Sequence, residues 1–365
     1  MQINQVIKVL TAYAPTAYQE PYDNAGLITG HPSWECTGAL VTLDATEQVI
    51  LEAVKRGCNL VVAHHPIIFK GLKKINGNNY VEKTIIAAIR NNVAIYAIHT
   101  NLDNVHNGVN QKIAEQLGLT NCRILAPKQS LLCKLFTYVP KQDVEKVREA
   151  LSEAGAGHIG NYDQCSFGTQ GTGTFRPLPG ADPYIGDVCK LTEVEEVKLE
   201  VILPYHLKNQ VIAALLQAHP YEEVAYDLIN LDNENLQVGS GMIGHLHNPM
   251  DEPAFLSLLR SKFNLQVIRH TPLLCRQISK VALCGGAGSF LISDAIHAGA
   301  DIYITADVKY HEFFDANNKL VIADIGHWES EQYTVNLLID ILLGKFPTFA
   351  VLKSEVVTNP VHYFV

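Results

Sequence analysis

The chain has 365 residues, enough for two domains or more, and carries a formal net charge of −9. Its 47% hydrophobic and 18% charged content is ordinary for a soluble globular protein, while the acidic balance argues against a broad electrostatic grip on nucleic acid. The N-terminus lacks a signal-peptide pattern, no apolar run approaches the ~18 residues that span a bilayer, and the eight cysteines form no Cys-x-x-Cys pair, so a cytoplasmic protein with reduced thiols and no membrane partner is expected.

Taken in order, Ile3, Val6, Ile7 and Leu10 have the spacing of an amphipathic helix over 3–13, stopped by Pro15. Tyr22 to Leu27 predicts a turn into a short strand. Gly38 to Asp44 predicts a strand, followed by a helix over about 46–56. The apolar run Leu60-Val61-Val62-Ala63 then ends in His64-His65-Pro66, the signature of a buried strand delivering ligands at its C-terminal end. A polar loop, a helix over about 80–91, a strand from Ala94 that leads to His99 and Asp103, and a helix over 107–117 follow. Strands alternating with helices at this spacing imply a mostly parallel sheet.

From about residue 129 the texture changes. A strand over 131–139, a charged helix over 141–153, a Gly-rich passage, a strand over 194–203, a helix over 205–217 and a strand over 224–231 give β-α-β-β-α-β order, provided the Gly-rich passage also holds a strand. Gly168, Gly171 and Gly173 read otherwise as turn positions or a mobile flap. Residues 232–235 read as a return linker. The first texture then resumes, with a helix over 250–263, a strand over 278–284, the turn Gly285-Gly286-Ala287-Gly288-Ser289 and a helix after it. Two strand-to-loop units reaching Asp307 and His327 and a helix ending near 344 complete it. The expected fold class is therefore α/β: a discontinuous core over 1–128 and 233–365, interrupted by a ferredoxin-like α+β insert over 129–232.

Four strand ends share a vocabulary of His and Asp. In open α/β sheets the ligand crevice lies beyond the carboxyl ends of the strands, so these ends predict one metal site assembled from distant segments. His327 and Glu331 form an i, i+4 pair if a helix starts at His327, although acidic residues at a helix start also have a macrodipole explanation. Asp103 suits a bridging carboxylate or, more blandly, a turn residue. His99 and His311 are candidates for proton transfer, with Asp307 a further ligand or orienting group. Imidazole and carboxylate without thiolate suit zinc, iron, manganese or nickel and do not choose among them. Two such ions would lower the pKa of a bound water from 15.7 to about 7, which is hydrolase chemistry. Between strand and helix, Gly285 to Ser289 reads as a tight packing turn more readily than as a phosphate cradle.

The ordered set Tyr22-Asp23-Asn24-Ala25-Gly26-Leu27, His64-His65-Pro66, His99-Thr100-Asn101-Leu102-Asp103, Cys284-Gly285-Gly286-Ala287-Gly288, Thr305 to His311 and Gly326-His327-Trp328-Glu329-Ser330-Glu331 resembles the Nif-three-like family, also called GTP cyclohydrolase I type 2 homologues. Residues 129–232, with Gly155 to Tyr162 and His219-Pro220-Tyr221-Glu222-Glu223, look like the PII/CutA-like insert of its longer members. The resemblance implies two divalent metal ions per subunit held by His64, His65, Asp103, His327 and Glu331, and a toroidal homohexamer. Ala306 stands where that pattern usually has glycine, and Trp328 where tyrosine is common. The expectation is a metal-dependent hydrolase acting, through metal-bound hydroxide, on a nucleotide-like or phosphorylated small molecule. The alternative is a metal-binding regulatory or scaffold protein whose insert senses a small ligand or partner.

Overall fold

The computed structural model describes residues 1–364 and divides into two compact units, Met1–Ala126 with the chain from Val238 onward, and Pro127–Gln237.

The first unit contains two sheets. One has the order Gly26–Thr29, Ala94–Ala97, Leu60–His65, Ala39–Asp44, Val351–Lys353, with every pair parallel except the first. Leu60, Val61, Val62 and Ala63 are fully buried, which is why this strand reads as an unbroken apolar run rather than an alternating one. Its flanking helices start where the side chains can cap them: Thr46 accepts from the Val49 amide and Asn79 from the Glu82 amide. They press Val49, Ile50, Ala53, Ile85 and Ala88 into a core with Val61, Ala63 and Ile95. The parallel register sets Asp44 beside His65 and Ala63 beside Ala97. Strand ends therefore fall at one edge, and the polar residues beyond them cluster there.

The other sheet has the order Arg269–His270, Val321–Asp324, Ile302–Ala306, Gln277–Ala287, Asn235–Asp251, Thr120–Lys128. Its middle three strands, from Val321–Asp324 to Gln277–Ala287, are parallel and also finish at one edge, where Thr305 pairs with Asp324. Beyond them lie Asp307 and the short helix His327–Glu331.

The second unit is a four-stranded antiparallel sheet in the order Ser166–Phe175, Thr192–Pro204, Leu132–Pro140, Tyr226–Leu231. Helices Val144–Glu153 and Lys208–Ala218 cover one face through Val147, Leu151, Val211 and Leu215, packed on Cys133, Leu135, Leu199 and Val201. The chain order is β-α-β-β-α-β.

Several expectations need correction. Gly168, Gly171 and Gly173 are not a flap; they lie in a ten-residue strand paired along its whole length with Thr192–Val201. The supposed linker at 232–235 runs into the seventeen-residue strand Asn235–Asp251. That strand escaped notice because a register shift between His245 and Met250 breaks its two-residue period, and because glycines serve where neighbours press close. A Cβ on Gly244 would sit 2.8 Å from Cys122 Sγ. Strands Thr120–Lys128, Arg269–His270 and Val351–Lys353 are likewise additions. Gly285 and Gly286 belong to the strand Gln277–Ala287, not to a turn after it.

Candidate metal centre

His64 and His65 leave their strand toward one site, and each ring is fixed through Nδ1. His64 Nδ1 lies 2.8 Å from the Ile98 carbonyl, and His65 Nδ1 lies 2.8 Å from Asp44 Oδ1. His99 begins the one-turn helix Thr100–Asn104, and its Nδ1 is 2.8 Å from Asp23 Oδ1. The other oxygen of Asp23 accepts from the Thr100 hydroxyl at 2.5 Å. On the opposite sheet, His327 Nδ1 is 2.6 Å from Asp307 Oδ2. Asp307 itself holds φ +55, a left-handed backbone uncommon outside glycine and tolerated best by Asp and Asn. Holding Nδ1–H on a carboxylate or carbonyl leaves Nε2 as a lone-pair donor, the arrangement found around metal-ligating histidines.

The Nε2 atoms converge on two carboxylates. His65 Nε2 is 3.0 Å, and His327 Nε2 3.3 Å, from Glu331 Oε2. His64 Nε2 is 3.5 Å from Asp103 Oδ1 and 3.9 Å from Glu331 Oε1. His65 Nε2 and His327 Nε2 are 3.3 Å apart. Three overlapping groups could each hold a cation: His64, His65 and His99; His65, His327 and Glu331; His64, Asp103 and Glu331. Glu331 is 3% exposed and stands in two of the three.

The glycines of the Gln277–Ala287 strand have a purpose here. Gly286, at φ +63, lies so close to Glu331 that a Cβ would fall 2.4 Å from its Oε1, and one on Gly285 would touch its Cγ at 3.4 Å. The strand must be bare for the carboxylate to sit between the imidazoles. The phosphate-cradle reading of this motif is set aside on that ground.

Electrostatics test whether a cation fits. His64 Nε2 and Asp103 Oδ1 are buried without a hydrogen-bond partner, an arrangement that costs free energy unless something is coordinated there. Burial, with His65 and His99 adding to it against Glu331, drives His64 down to about 3 and keeps it neutral. Burial pulls His65 down as well, but Glu331 and Asp44 outweigh it and lift the ring to about 10. His327 rises to about 11 because Asp307 and Glu331 overcome its burial. Burial and the Glu331 charge push Asp103 well up, whereas His65 and His327 hold Glu331 well down against its burial. With no metal bound, protons on two imidazoles neutralise the carboxylate; a divalent cation would replace them. The donor set, N and O without thiolate, fits such an ion.

These groups border a cavity of about 960 Å³ whose walls include Tyr22, Phe69, Trp328, Arg269 and the tail residues Thr358 to Val361. The structure thus brings His64, His65, His99, Asp103, His327 and Glu331 together. It does not bring His311: that residue lies exposed on the 3-10 turn Tyr310–Ala316, its ring against Tyr310 and Phe314, outside the cavity wall. The expectation of proton transfer by His311 is withdrawn. Asp307 bonds His327 Nδ1 and stands in none of the three ligand groups. Asp23 and Asp44 escaped the sequence reading as site residues, although Asp44 also closes an apolar strand.

A family profile described as Duf34/NIF3 (NGG1p interacting factor 3) matches residues 1–360. The chain belongs to the Duf34/NIF3 family. A Halalkalibacterium halodurans protein named GTP cyclohydrolase 1 type 2 homolog is 42% identical over 324 residues, 88% of this chain and 87% of the relative. A Bacillus subtilis protein of the same name is 40% identical over 89% and 87%. Among solved structures, a Bacillus cereus protein related to NIF3 superposes with a TM-score of 0.88 at 37% identity, covering 100% of this chain and 99% of the other. Family membership and the α/β fold class follow. Among the described residues no helix is long and apolar enough to cross a membrane.

Proposed function

We propose that this NIF3-family chain is a dinuclear-metal-dependent hydrolase acting on a nucleotide-like or phosphorylated small molecule. The carrying observation is that two ligand groups, His65–His327–Glu331 and His64–Asp103–Glu331, share one buried carboxylate on the wall of a substrate-sized cavity. Two divalent ions held there would supply a water acidified toward neutral pH and positive charge for a developing anion. The chain's own residues supply the rest. Asp23 holds His99 through Nδ1, leaving Nε2 to take or return a proton beside His64 and His65. Asp44 and Asp307 fix the planes of His65 and His327. Arg269 is the one arginine or lysine among the described residues lining the cavity. Its guanidinium is held by Asp324 and by the Val308 carbonyl, which supports an anionic substrate group at the rim. Tyr22, Phe69 and Trp328 give flat apolar walls suited to a base or a similar ring.

The test is elemental analysis of protein purified without chelating resin, followed by a hydrolysis panel of nucleotides and sugar phosphates with GTP included. Metal near two per chain together with metal-dependent turnover supports the reading. A folded protein that binds no metal would end it.

A second reading has one observation in its favour. The unit Pro127–Gln237 carries a cavity of its own, which suits a regulatory protein whose insert senses a ligand. Removal of 129–232 separates the two: a hydrolase core retains metal and turnover. The homohexamer belongs to the same proposal, and light scattering should give about 240 kDa, six chains of 40.2 kDa.

A further inference from the structure

The Ser166–Phe175 strand poses a question that metal chemistry does not answer: it carries glycine at 171 and 173, on one face. In an antiparallel sheet residues i and i+2 share a face, and cross-strand partners do too. Gly171 pairs with Glu196 and Gly173 with Val194, while Tyr138 and Thr169 both pair with Lys198. All stand on the face opposite the two helices. Glycine inside a strand weakens it, and is found where something approaches the backbone closely. Above this bare strip lies a cavity of about 740 Å³, roofed by Phe175 to Ile185 and by Tyr221 to Ala225.

The cavity is built around one carboxylate and a group of aromatic rings. Glu196 is 8% exposed, and its Oε1 accepts the Tyr221 hydroxyl at 2.8 Å. Its Oε2 points toward Gly173, where a Cβ would lie 2.0 Å away, so only glycine admits the carboxylate. Tyr221 is packed by Phe175 at 5.7 Å, Tyr184 at 6.3 Å and His219 at 5.1 Å between ring centroids. His219 is spent on structure: Nε2 bonds the Tyr138 carbonyl, and Nδ1 accepts the Tyr221 amide. Tyr184 is steadied by the Gln142 side chain. Of the two cations on the wall, Lys198 is engaged with Glu200 at 3.3 Å and lies 4.3 Å from the centre of the Phe136 ring. Arg176 is exposed. Neither neutralises Glu196.

Among the described residues Glu196, nine-tenths buried, takes its hydrogen bond from a neutral phenol and forms no ion pair, and a carboxylate so placed is stabilised by added positive charge. Aromatic faces beside it attract positive charge. We infer that the cavity of the 127–237 unit is a binding site for a small organic cation bearing an ammonium or guanidinium group, whose N–H donors meet Glu196 and whose body lies between Tyr221, Tyr184 and Phe175 over the bare glycine strip. The inference is independent of the metal centre.

The test uses the full chain and a matched pair of probes, butylguanidinium and the isosteric neutral butylurea, titrated by calorimetry and by chemical shifts of labelled tyrosine. Binding of butylguanidinium, with butylurea weaker by roughly 10- to 100-fold, is expected from the loss of a charge-assisted bond. Glu196→Gln should lose a similar factor. Gly171→Val is the decisive control. Its φ is ordinary and a Cβ there meets nothing within 4 Å, so the fold should persist while the side chain fills the cavity. Loss of binding in Gly171→Val, with an unchanged circular dichroism spectrum, supports the site. Equal affinity for the two probes, binding that survives both substitutions, or no binding up to millimolar concentration would overturn it.

Discussion

Glu331→Gln tests the centre most severely, because one isosteric change removes the anion common to two ligand groups. Glu331 lies 3.0 Å from His65 Nε2, 3.3 Å from His327 Nε2 and 3.9 Å from His64 Nε2. In the metal-free protein this carboxylate, with Asp44, raises His65 from 6.5 to about 10 despite its burial. At ~1.36 kcal/mol per pKa unit that rise represents about 5 kcal/mol, a net figure that Glu331 shares with Asp44 and that burial opposes. The figure agrees with the ~3–5 kcal/mol lost when one partner of a buried ion pair is deleted. At roughly 2–4 °C per kcal/mol for a unit of this size, the metal-free melting temperature should fall by about 10 °C. Elemental analysis should show both ions lost from Glu331→Gln. Asp103→Asn and His327→Ala each disrupt only one of the two groups and should leave about half the metal. Wild-type metal content and melting temperature in Glu331→Gln would refute the shared-carboxylate geometry.

Three other outcomes are expected. Asp44→Asn and Asp307→Asn keep every ligand but lose the carboxylates that hold His65 and His327, so metal affinity should fall about 10- to 100-fold in competition with a chromogenic chelator. Gly286→Ala touches no ligand bond, yet its Cβ would overlap Glu331 Oε1 at a backbone φ of +63, so metal content should drop as it does for a ligand variant. Loading metal at neutral pH should release protons from His65 and His327, whose folded pKa values lie at about 10 and about 11. Affinity should therefore weaken as pH falls, about tenfold per unit for each proton displaced, and calorimetry in buffers of different ionisation enthalpy counts the protons. No release would mean the imidazoles are already neutral.

The candidate donors were legible because parallel strands end together. An apolar run needed for a buried strand must stop where the sheet stops, and a histidine or aspartate placed there has few other uses. His64, His65, His99 and Asp103 are readable on that principle, and His327 with Glu331 on helical spacing. What surrounds them was not, because it depends on register and on contacts between segments far apart. Asp44 matters through its pairing opposite His65, and Asp23 through a bond to a residue 76 positions away. His311 shows the opposite error: it follows a strand end in sequence, but Asp307 turns the chain at φ +55 and the 3-10 turn carries the imidazole to the surface.

The glycine motifs locate the limit more sharply. A sequence announces that a side chain is forbidden without saying what takes its place. Gly285-Gly286 suggested a tight packing turn, and Gly171 and Gly173 suggested turn positions or a mobile flap. In the structure the first pair makes room for Glu331 between imidazoles, and Gly173 makes room for Glu196 beneath aromatic rings. In both places a strand gives up its side chains so that a buried carboxylate can occupy the space above it. A buried carboxylate is tolerated where positive charge is supplied or where several hydrogen-bond donors meet it, as the Leu274 and Cys275 amides meet Glu252. At Glu331 the imidazolium protons supply it and a metal would replace them; at Glu196 the fold provides one phenol and a cavity. This difference is why the second site calls for a ligand from outside the chain.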